Sequence, residues 1–223
     1  MAAEASSTPT TDLTDIHAVL ALAPVIPVAT ITRLADAVPL AEALVAGGIP
    51  VIEVTLRSDV ALAAIEAIRR GVPDMNVGAG TLWTAQQTMQ AASAGAEFIV
   101  SPGIADAVQE VAATLRIPYL SGAQTASEIA HLVRRGAKAV KFFPAAPAGG
   151  PAALAAFAAV FPGLEFCPTG GISEAIAPDY LKLSCVPCVG GSWLATSALL
   201  GKQDWNAIEE LARRAAALGA PRG

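Results

Sequence analysis

Lys141 stands where a lysine is expensive. It lies in Ala139-Val-Lys-Phe-Phe-Pro144, an apolar run of strand type, whereas the other three lysines, Lys138, Lys182 and Lys202, fall in loops or helix ends by pattern. Side chains of a strand alternate faces, so Lys141 and Phe143 share one face and Val140 and Phe142 the other. A buried lysine costs free energy unless it is paired or neutral. Burial favours the uncharged amine, and an uncharged amine attacks carbonyl carbons. Glu53 is the second anomaly, in Val51-Ile-Glu-Val-Thr-Leu-Arg57. Period two puts Glu53, Thr55 and Arg57 on one face, and Ile52, Val54 and Leu56 on the other. With the apolar side turned to covering helices, Glu53 points inward, where a carboxyl group can shuttle protons. Arg57, nearer the end of the run, offers a planar fork for a substrate carboxylate. The plainer alternative for Lys141 and Glu53 is a buried ion pair with a structural purpose.

Two late turns, Thr169-Gly170-Gly171 and Gly190-Gly191-Ser192, form a candidate phosphate cradle from backbone N–H groups and a short helix start near Ser192. Glycine pairs taken singly often do no more than make tight turns. Metal chemistry would need two or three histidines or carboxylates converging. The two histidines, His17 and His131, sit on helical patterns that read as packing or surface. No metal and no cofactor is therefore expected. Gly78-Ala-Gly-Thr81 lacks the third glycine of a nicotinamide fingerprint. Cys167, Cys185 and Cys188 are an odd number without a secretory signal, which argues against a disulfide framework. Cys185-Val-Pro-Cys188 has the spacing of a redox or zinc pair, but no second pair exists, and the cysteines read as small buried residues.

The elements that must carry these groups repeat about eight times. Candidate strands are Val25–Thr30, Val51–Leu56, Asn76–Thr81, Phe98–Pro102, Pro118–Ala123, Ala139–Pro144, Glu165–Gly170 and Val186–Gly190. Between them run helical patterns: Pro39–Ala46, Val60–Arg70, Ala85–Ala94, Ala105–Leu115, Ala126–Arg135, Pro151–Val160 and Glu174–Leu183. Strands alternating with helices make a parallel sheet, and eight such units fit a single closed (β/α)₈ TIM barrel. A doubly wound open sheet is the alternative. A leading helix, Asp12–Leu22, is expected to cap the bottom of the barrel, and a last one, Asp204–Leu218, to pack on its side through Trp205, Ile208, Leu211 and Ala215. Residues 1–12 read as a loose tail and 13–223 as one domain. An apolar fraction of 54% against 15% charged suits strands covered on both faces. The formal charge of −5 is scattered and no basic block occurs, so neither nucleic acid nor an anionic membrane surface is expected as a partner. The longest uncharged apolar stretch, Ala18–Ile31, is too short to span a bilayer and contains Pro24 and Pro27. The first residues lack a basic start and an apolar core, so no signal peptide is read and a cytoplasmic protein is expected.

One regularity joins chemistry to architecture. Polar or glycine-rich groups gather at the C-terminal ends of six candidate strands: Thr55 and Arg57, Gly78–Thr81, Ser101–Gly103, Lys141–Pro144, Pro168–Gly171 and Gly190–Ser192. That end of a barrel is where ligands bind. The segments Gly47–Arg57, Val77–Thr81, Ser101–Gly103, Lys141–Ala145, Phe166–Ile172 and Val189–Trp193 resemble, in order, the family of 2-keto-3-deoxy-6-phosphogluconate and 2-keto-4-hydroxyglutarate aldolases. The resemblance covers roughly residues 18–210. It implies a homotrimeric barrel enzyme of the Entner–Doudoroff pathway acting on a small phosphorylated keto acid. It implies Lys141 as the Schiff-base lysine and Glu53 as the proton carrier. Arg57 and Thr81 would hold the pyruvate carboxylate, and Pro102 and Phe143 would line the pyruvyl pocket. Thr169 would sit near the reacting hydroxyl, and Gly170, Gly171 and Ser192 would bind phosphate.

Two segments depart from the family pattern. Ser121-Gly-Ala-Gln124 stands where Pro-Gly, a small apolar residue and Ser or Thr are usual, in a loop expected to face the site. Ala146-Pro147-Ala148 is more apolar than usual. The expected reaction is cleavage of 2-keto-3-deoxy-6-phosphogluconate to pyruvate and glyceraldehyde 3-phosphate, and of 2-keto-4-hydroxyglutarate to pyruvate and glyoxylate. Two other classes compete: a phosphate-binding barrel isomerase or decarboxylase that uses Glu53 as base, and a silent barrel that senses sugar phosphates.

Overall fold

The computed structural model describes residues 15–219. Its strands are β1 (Val25–Ala29), β2 (Val51–Thr55), β3 (Asn76–Gly80), β4 (Phe98–Val100), β5 (Tyr119–Leu120), β6 (Gly122–Ala123), β7 (Ala139–Phe142), β8 (Glu165–Pro168) and β9 (Val189–Gly191). All pairings are parallel, in the orders β5-β4-β3-β2-β1-β9 and β6-β7-β8. Two seams join these sheets into a ring. At the first, β5 and β6 are one strand interrupted at Ser121, whose carbonyl still accepts the Lys141 N–H at 2.9 Å. At the second, Thr169 bridges to Gly190, and the Phe166 N–H donates to the Cys185 carbonyl at 2.8 Å. The result is the expected eight-stranded barrel, with its fifth strand in two pieces.

Helices cover the outside: α1 (Ile16–Leu20), α2 (Ala37–Ala46), α3 (Ala61–Gly71), α4 (Ala85–Ser93), α5 (Asp106–Leu115), α6 (Ala126–Arg134), α7 (Gly150–Val160), α8 (Ala177–Leu181), α9 (Ser197–Lys202) and α10 (Trp205–Ala217). Thr84 with Gln87, and Thr125 with Glu128, close reciprocal capping boxes that start α4 and α6. Alanine-rich faces let helices approach closely. A Cβ added at Gly47, after α2, would lie 2.4 Å from the Ala212 Cβ of α10. The last helix buries Ile208, Ala212 and Ala215.

Several boundaries differ from the sequence reading. The leading helix is the short α1, which buries Val19 and Leu20; its expected first residues, 12–14, lie outside the described residues, as does the tail 1–12. His17 Nδ1 lies 2.6 Å from Glu165 Oε2, which ties α1 to the N-terminal end of β8. The eighth strand begins at Val189 rather than Val186, because Pro187 can donate no ladder hydrogen bond. The helix expected over Glu174–Leu183 shrinks to α8, which starts only where Pro178 can occupy its first turn.

The turn after β1 is held by a buried carboxylate. Asp36, 2% exposed, takes two hydrogen bonds from Arg33, at 2.9 and 2.7 Å, and one from Gln203 at 3.3 Å. The Arg33 guanidinium holds the Asp36 carboxyl below the usual carboxylate range, while burial opposes it in part. A lowered folded-state value contributes stability above the ordinary carboxylate range, and that stability is lost as pH falls through the lowered value. Asp36→Asn is therefore expected to destabilise the chain at pH 7 and to flatten the acid limb of its stability curve. Urea unfolding between pH 3 and pH 7 measures both, and an unchanged acid limb would contradict the assignment.

Candidate active site

Register sets the interior. Val28 pairs with Glu53, Glu53 with Gly78, and Gly78 with Phe98, while Gly122 pairs with Lys141 and Lys141 with Cys167. Paired residues of a parallel sheet point the same way, so β2 and β7 send Glu53 and Lys141 into the barrel from opposite walls. There Lys141 Nζ donates to Glu53 Oε1 at 3.1 Å and to Oε2 at 3.2 Å. Both side chains are 5% exposed. The amine also stands 5.5 Å from the centroid of the Phe143 ring, on the face that the alternation assigned to both.

A cavity of about 190 Å³ opens above this pair at the C-terminal ends of the strands. All ten site residues of the sequence reading line it: Glu53, Arg57, Thr81, Pro102, Lys141, Phe143, Thr169, Gly170, Gly171 and Ser192. Val28, Thr55, Ile172 and Gly190 line it too. Thr55 shares a face with Glu53, and that signal could have placed it at the site. Val28 is brought in only by strand pairing, which no local pattern reveals. The Ser121–Gln124 segment contributes nothing to the wall, contrary to expectation. Ser121 makes a 3.5 Å contact to the Gly103 carbonyl, and the Gln124 N–H is spent on Glu128 at the start of α6.

Local features explain the shape of the cavity. A Cβ at Gly80 would lie 2.0 Å from Glu53 Oε1, so the absent side chain is the space the carboxylate occupies. Thr81 then turns with φ +68°, an uncommon conformation for a β-branched residue and one that stores backbone strain at the rim. Gly170 and Gly171 follow with φ +99° and +74°. Their turn is held from β7's side: Ala145 donates to the Thr169 carbonyl at 2.7 Å and Ala146 to the Gly170 carbonyl at 3.0 Å. A Cβ at Gly171 would come within 2.8 Å of the Ala146 Cβ, so the apolar Ala146–Ala148 segment packs directly on this turn. Ser192 opens the 3₁₀ turn Trp193–Ala195 without spending its hydroxyl on a cap. Arg57 is exposed and has no carboxylate partner among the described residues. The histidines lie elsewhere, His17 against Glu165 and His131 beside Asp106, and no group of three metal-binding side chains occurs among the described residues.

An amine and a carboxylate buried together at the ligand-binding mouth of a (β/α)₈ barrel are the tools of a carbon–carbon lyase of the Schiff-base class. Residues 16–211 match the family model for KDPG and KHG aldolase. The chain is 46% identical over 202 residues to the KHG/KDPG aldolase of Escherichia coli K12, covering 91% of this chain and 95% of that one. It is 46% identical over 203 residues to the 2-dehydro-3-deoxy-phosphogluconate aldolase of Zymomonas mobilis, covering 91% and 96%. Its fold superposes with a TM-score of 0.87 on the KDPG aldolase of Legionella pneumophila, solved with pyruvate captured as a covalent carbinolamine; identity is 44%, and 89% and 97% of the two chains are covered. The chain belongs to the KDPG and KHG aldolase family.

The space at Gly80 gives a test of the geometry. Gly80→Ala is expected to stay folded but to push the Glu53 carboxylate off its position. A displacement of about 1 Å costs on the order of a hundredfold in rate. Steady-state kinetics of pyruvate formation beside circular dichroism check this, and wild-type kcat in the variant would show that Glu53 is free to move.

Proposed function

We propose that this chain cleaves 2-keto-3-deoxy-6-phosphogluconate to pyruvate and glyceraldehyde 3-phosphate, with Lys141 as nucleophile and Glu53 as proton carrier. The observation that carries the reading is the buried contact of Lys141 Nζ with both Glu53 oxygens at 3.1 and 3.2 Å, on the floor of a cavity lined by the other eight residues. A lysine that gives its proton to the adjacent carboxylate attacks the C2 keto carbon. Glu53 returns that proton to the carbinolamine hydroxyl, which leaves as water, so that an iminium ion stands beside a carboxylate again. Glu53, within hydrogen-bond reach of the same nitrogen, then accepts the C4 hydroxyl proton as the C3–C4 electrons flow into the iminium. Glyceraldehyde 3-phosphate departs, the enamine is protonated at C3, and water releases pyruvate and the free amine. Positioned acid–base transfer of this kind is worth roughly 10²–10⁴-fold.

The binding roles proposed are those the family resemblance implies, and the cavity lining supports them. Arg57, which has no carboxylate partner among the described residues, and Thr81 hold the pyruvyl carboxylate. Pro102 and Phe143 cover the apolar end of the pyruvyl group, and Thr169 faces the C4 hydroxyl. Gly170, Gly171 and Ser192 take the phosphate. Cleavage of 2-keto-4-hydroxyglutarate to pyruvate and glyoxylate uses the same floor without the phosphate turns. Each relative compared above is named an aldolase, whereas nothing specific favours an isomerase or decarboxylase in which Glu53 alone is the base. No helix of the described residues is long and apolar enough to cross a membrane, in keeping with a cytoplasmic enzyme. A homotrimer would cover apolar surface such as Trp83, 53% exposed, and Met89, 51% exposed, and light scattering reads its mass.

Two experiments test the assignment. Borohydride with pyruvate should trap a reduced adduct on Lys141. Lys141→Ala and Lys141→Arg should both lose cleavage, the second because a guanidinium stays protonated. The alanine variant leaves a buried carboxylate unpaired at a cost of about 3–5 kcal/mol, so its fold is verified alongside. Turnover by either variant sinks the nucleophile.

The phosphate turns separate recognition from chemistry. Charge-assisted hydrogen bonds contribute about 1.5–3 kcal/mol. Ser192→Ala should therefore lower kcat/KM for the phosphorylated substrate by on the order of tenfold to a hundredfold and barely affect 2-keto-4-hydroxyglutarate. A parallel drop on both substrates would remove the phosphate from these turns.

A further inference from the structure

Beside the lysine, on the next strand, begins a pair of thiols that the cleavage reaction does not use. Cys167 is the register partner of Lys141 and points into the barrel with it. Its Sγ lies 3.7 Å from that of Cys188, which donates an S–H hydrogen bond to it, and 4.0 Å from the Thr169 hydroxyl. Both thiols are buried, Cys167 3% and Cys188 0% exposed. The Phe166–Cys185 hydrogen bond and the Thr169–Gly190 bridge bracket the pair, so the two cysteines sit on neighbouring chain segments that run side by side. The spacing of neighbouring strands, about 4.8 Å, falls inside the Cα range of about 4.4–6.8 Å that a disulfide accepts.

We propose that Cys167 and Cys188 are an oxidative modification site built into the barrel floor, at which a peroxide closes a disulfide and arrests the lysine chemistry beside it. The two thiols are electrically unequal. The hydrogen bond from Cys188 holds the Cys167 thiol below its ordinary value, and the nearby Lys141 charge adds to this, against burial and the Glu53 charge. The Cys188 thiol is pushed well up by the same contact and by burial. Cys167, in contact with the cavity-lining Thr169, is the thiol that a peroxide entering from the cavity meets first and the one that attacks, and Cys188 behind it resolves. In the first step Cys167 sulfur displaces one peroxide oxygen as water and keeps the other as a sulfenic acid. In the second, Cys188 sulfur attacks the Cys167 sulfur, the hydroxyl leaves as a second water with the Cys188 proton, and the S–S bond forms. Two thiols are oxidised by two electrons and one peroxide is reduced to two waters. Thr169 lines the cavity and touches Cys167, which gives a small neutral peroxide its way in. Closing the bond brings the sulfurs from 3.7 Å to about 2.05 Å and draws Cys167 from beside Lys141 and Thr169.

Hydrogen peroxide on the intact enzyme tests this. Whole-protein mass should fall by two hydrogens, and peptide mapping should place the link between Cys167 and Cys188. Pyruvate release should drop about tenfold to a hundredfold, as a misplacement near 1 Å does, and return with dithiothreitol. Cys188→Ala should resist the cross-link and the reversible loss, while Cys185→Ala should keep both. Mapping on the wild-type enzyme decides the matter even where Cys188→Ala folds poorly. The mass readout does not depend on what the site catalyses, so failure of the proposed aldol cleavage would be recognised separately. A link that includes Cys185, a gain of oxygen without a link, or a link that leaves turnover unchanged overturns the proposal.

Discussion

Everything at this site depends on one ion pair placed where water cannot help it. Lys141 and Glu53 face each other at 3.1 Å with side chains 5% exposed, reaching in from opposite walls of the barrel. Desolvating two charges costs several kcal/mol per ion, and only close geometry repays it. A closed ring of parallel strands supplies that geometry, because the register between neighbours fixes the height of every inward side chain. Glu53 is level with Gly78 and Lys141 with Cys167, and neither Cα can change its height in the barrel without shifting a strand. The pair is therefore weak as a source of stability and strong as a way of keeping an amine and a base in contact.

The floor must also be cleared of competing atoms. Gly80 leaves room for the Glu53 carboxylate, and Gly190 leaves room for Thr169, whose hydroxyl would lie 2.2 Å from a Cβ there. Above the floor, backbone strain appears at the rim. Thr81 and the Gly170–Gly171 turn all carry positive φ, and the turn is clamped by hydrogen bonds from Ala145 and Ala146. Loss of side-chain volume below and irregular backbone above are two ways of making space in an otherwise dense core. The glycines weaken the strands that carry them, and the surrounding Val, Ile and Phe side chains offset this by being buried on the helix-facing side.

The sequence made much of this legible because the barrel writes its chemistry on a period of two. A charged residue inside an apolar strand run stands out, so Lys141 and Glu53 could be picked by eye, and alternation put Thr55 and Arg57 beside Glu53. The helices were equally readable where their period was regular, and α4 and α6 begin at Ala85 and Ala126, where the pattern put them. What stayed hidden depends on pairing between distant segments. The break of the fifth strand at Ser121, the inward position of Val28 and the meeting of Cys167 with Cys188 all arise from neighbours that are remote in the chain. Proline set the late boundaries: Pro187 delays β9 and Pro178 shortens α8, effects that alternation and helical period do not register.

The two departures from the family pattern now separate by position. Ser121–Gln124 lies off the cavity wall, and its carbonyl and amide groups serve the seam with β7 and the cap of α6. A backbone that spends its hydrogen bonds on the ring and the helix is a structural joint, so changes in its side chains act on barrel closure before they act on substrate. Ala146–Ala148 is different. Ala146 packs on Gly171 and donates to Gly170, one layer from where the phosphate would rest. A small apolar residue there adds no charge to the turn, so under the proposed reading the anion is left to the backbone and Ser192. The proposed reading thus puts substrate choice on the seam between the segments after β7 and β8, and the lysine chemistry on β2 and β7. The barrel keeps the two apart by putting one on loops and the other on strands.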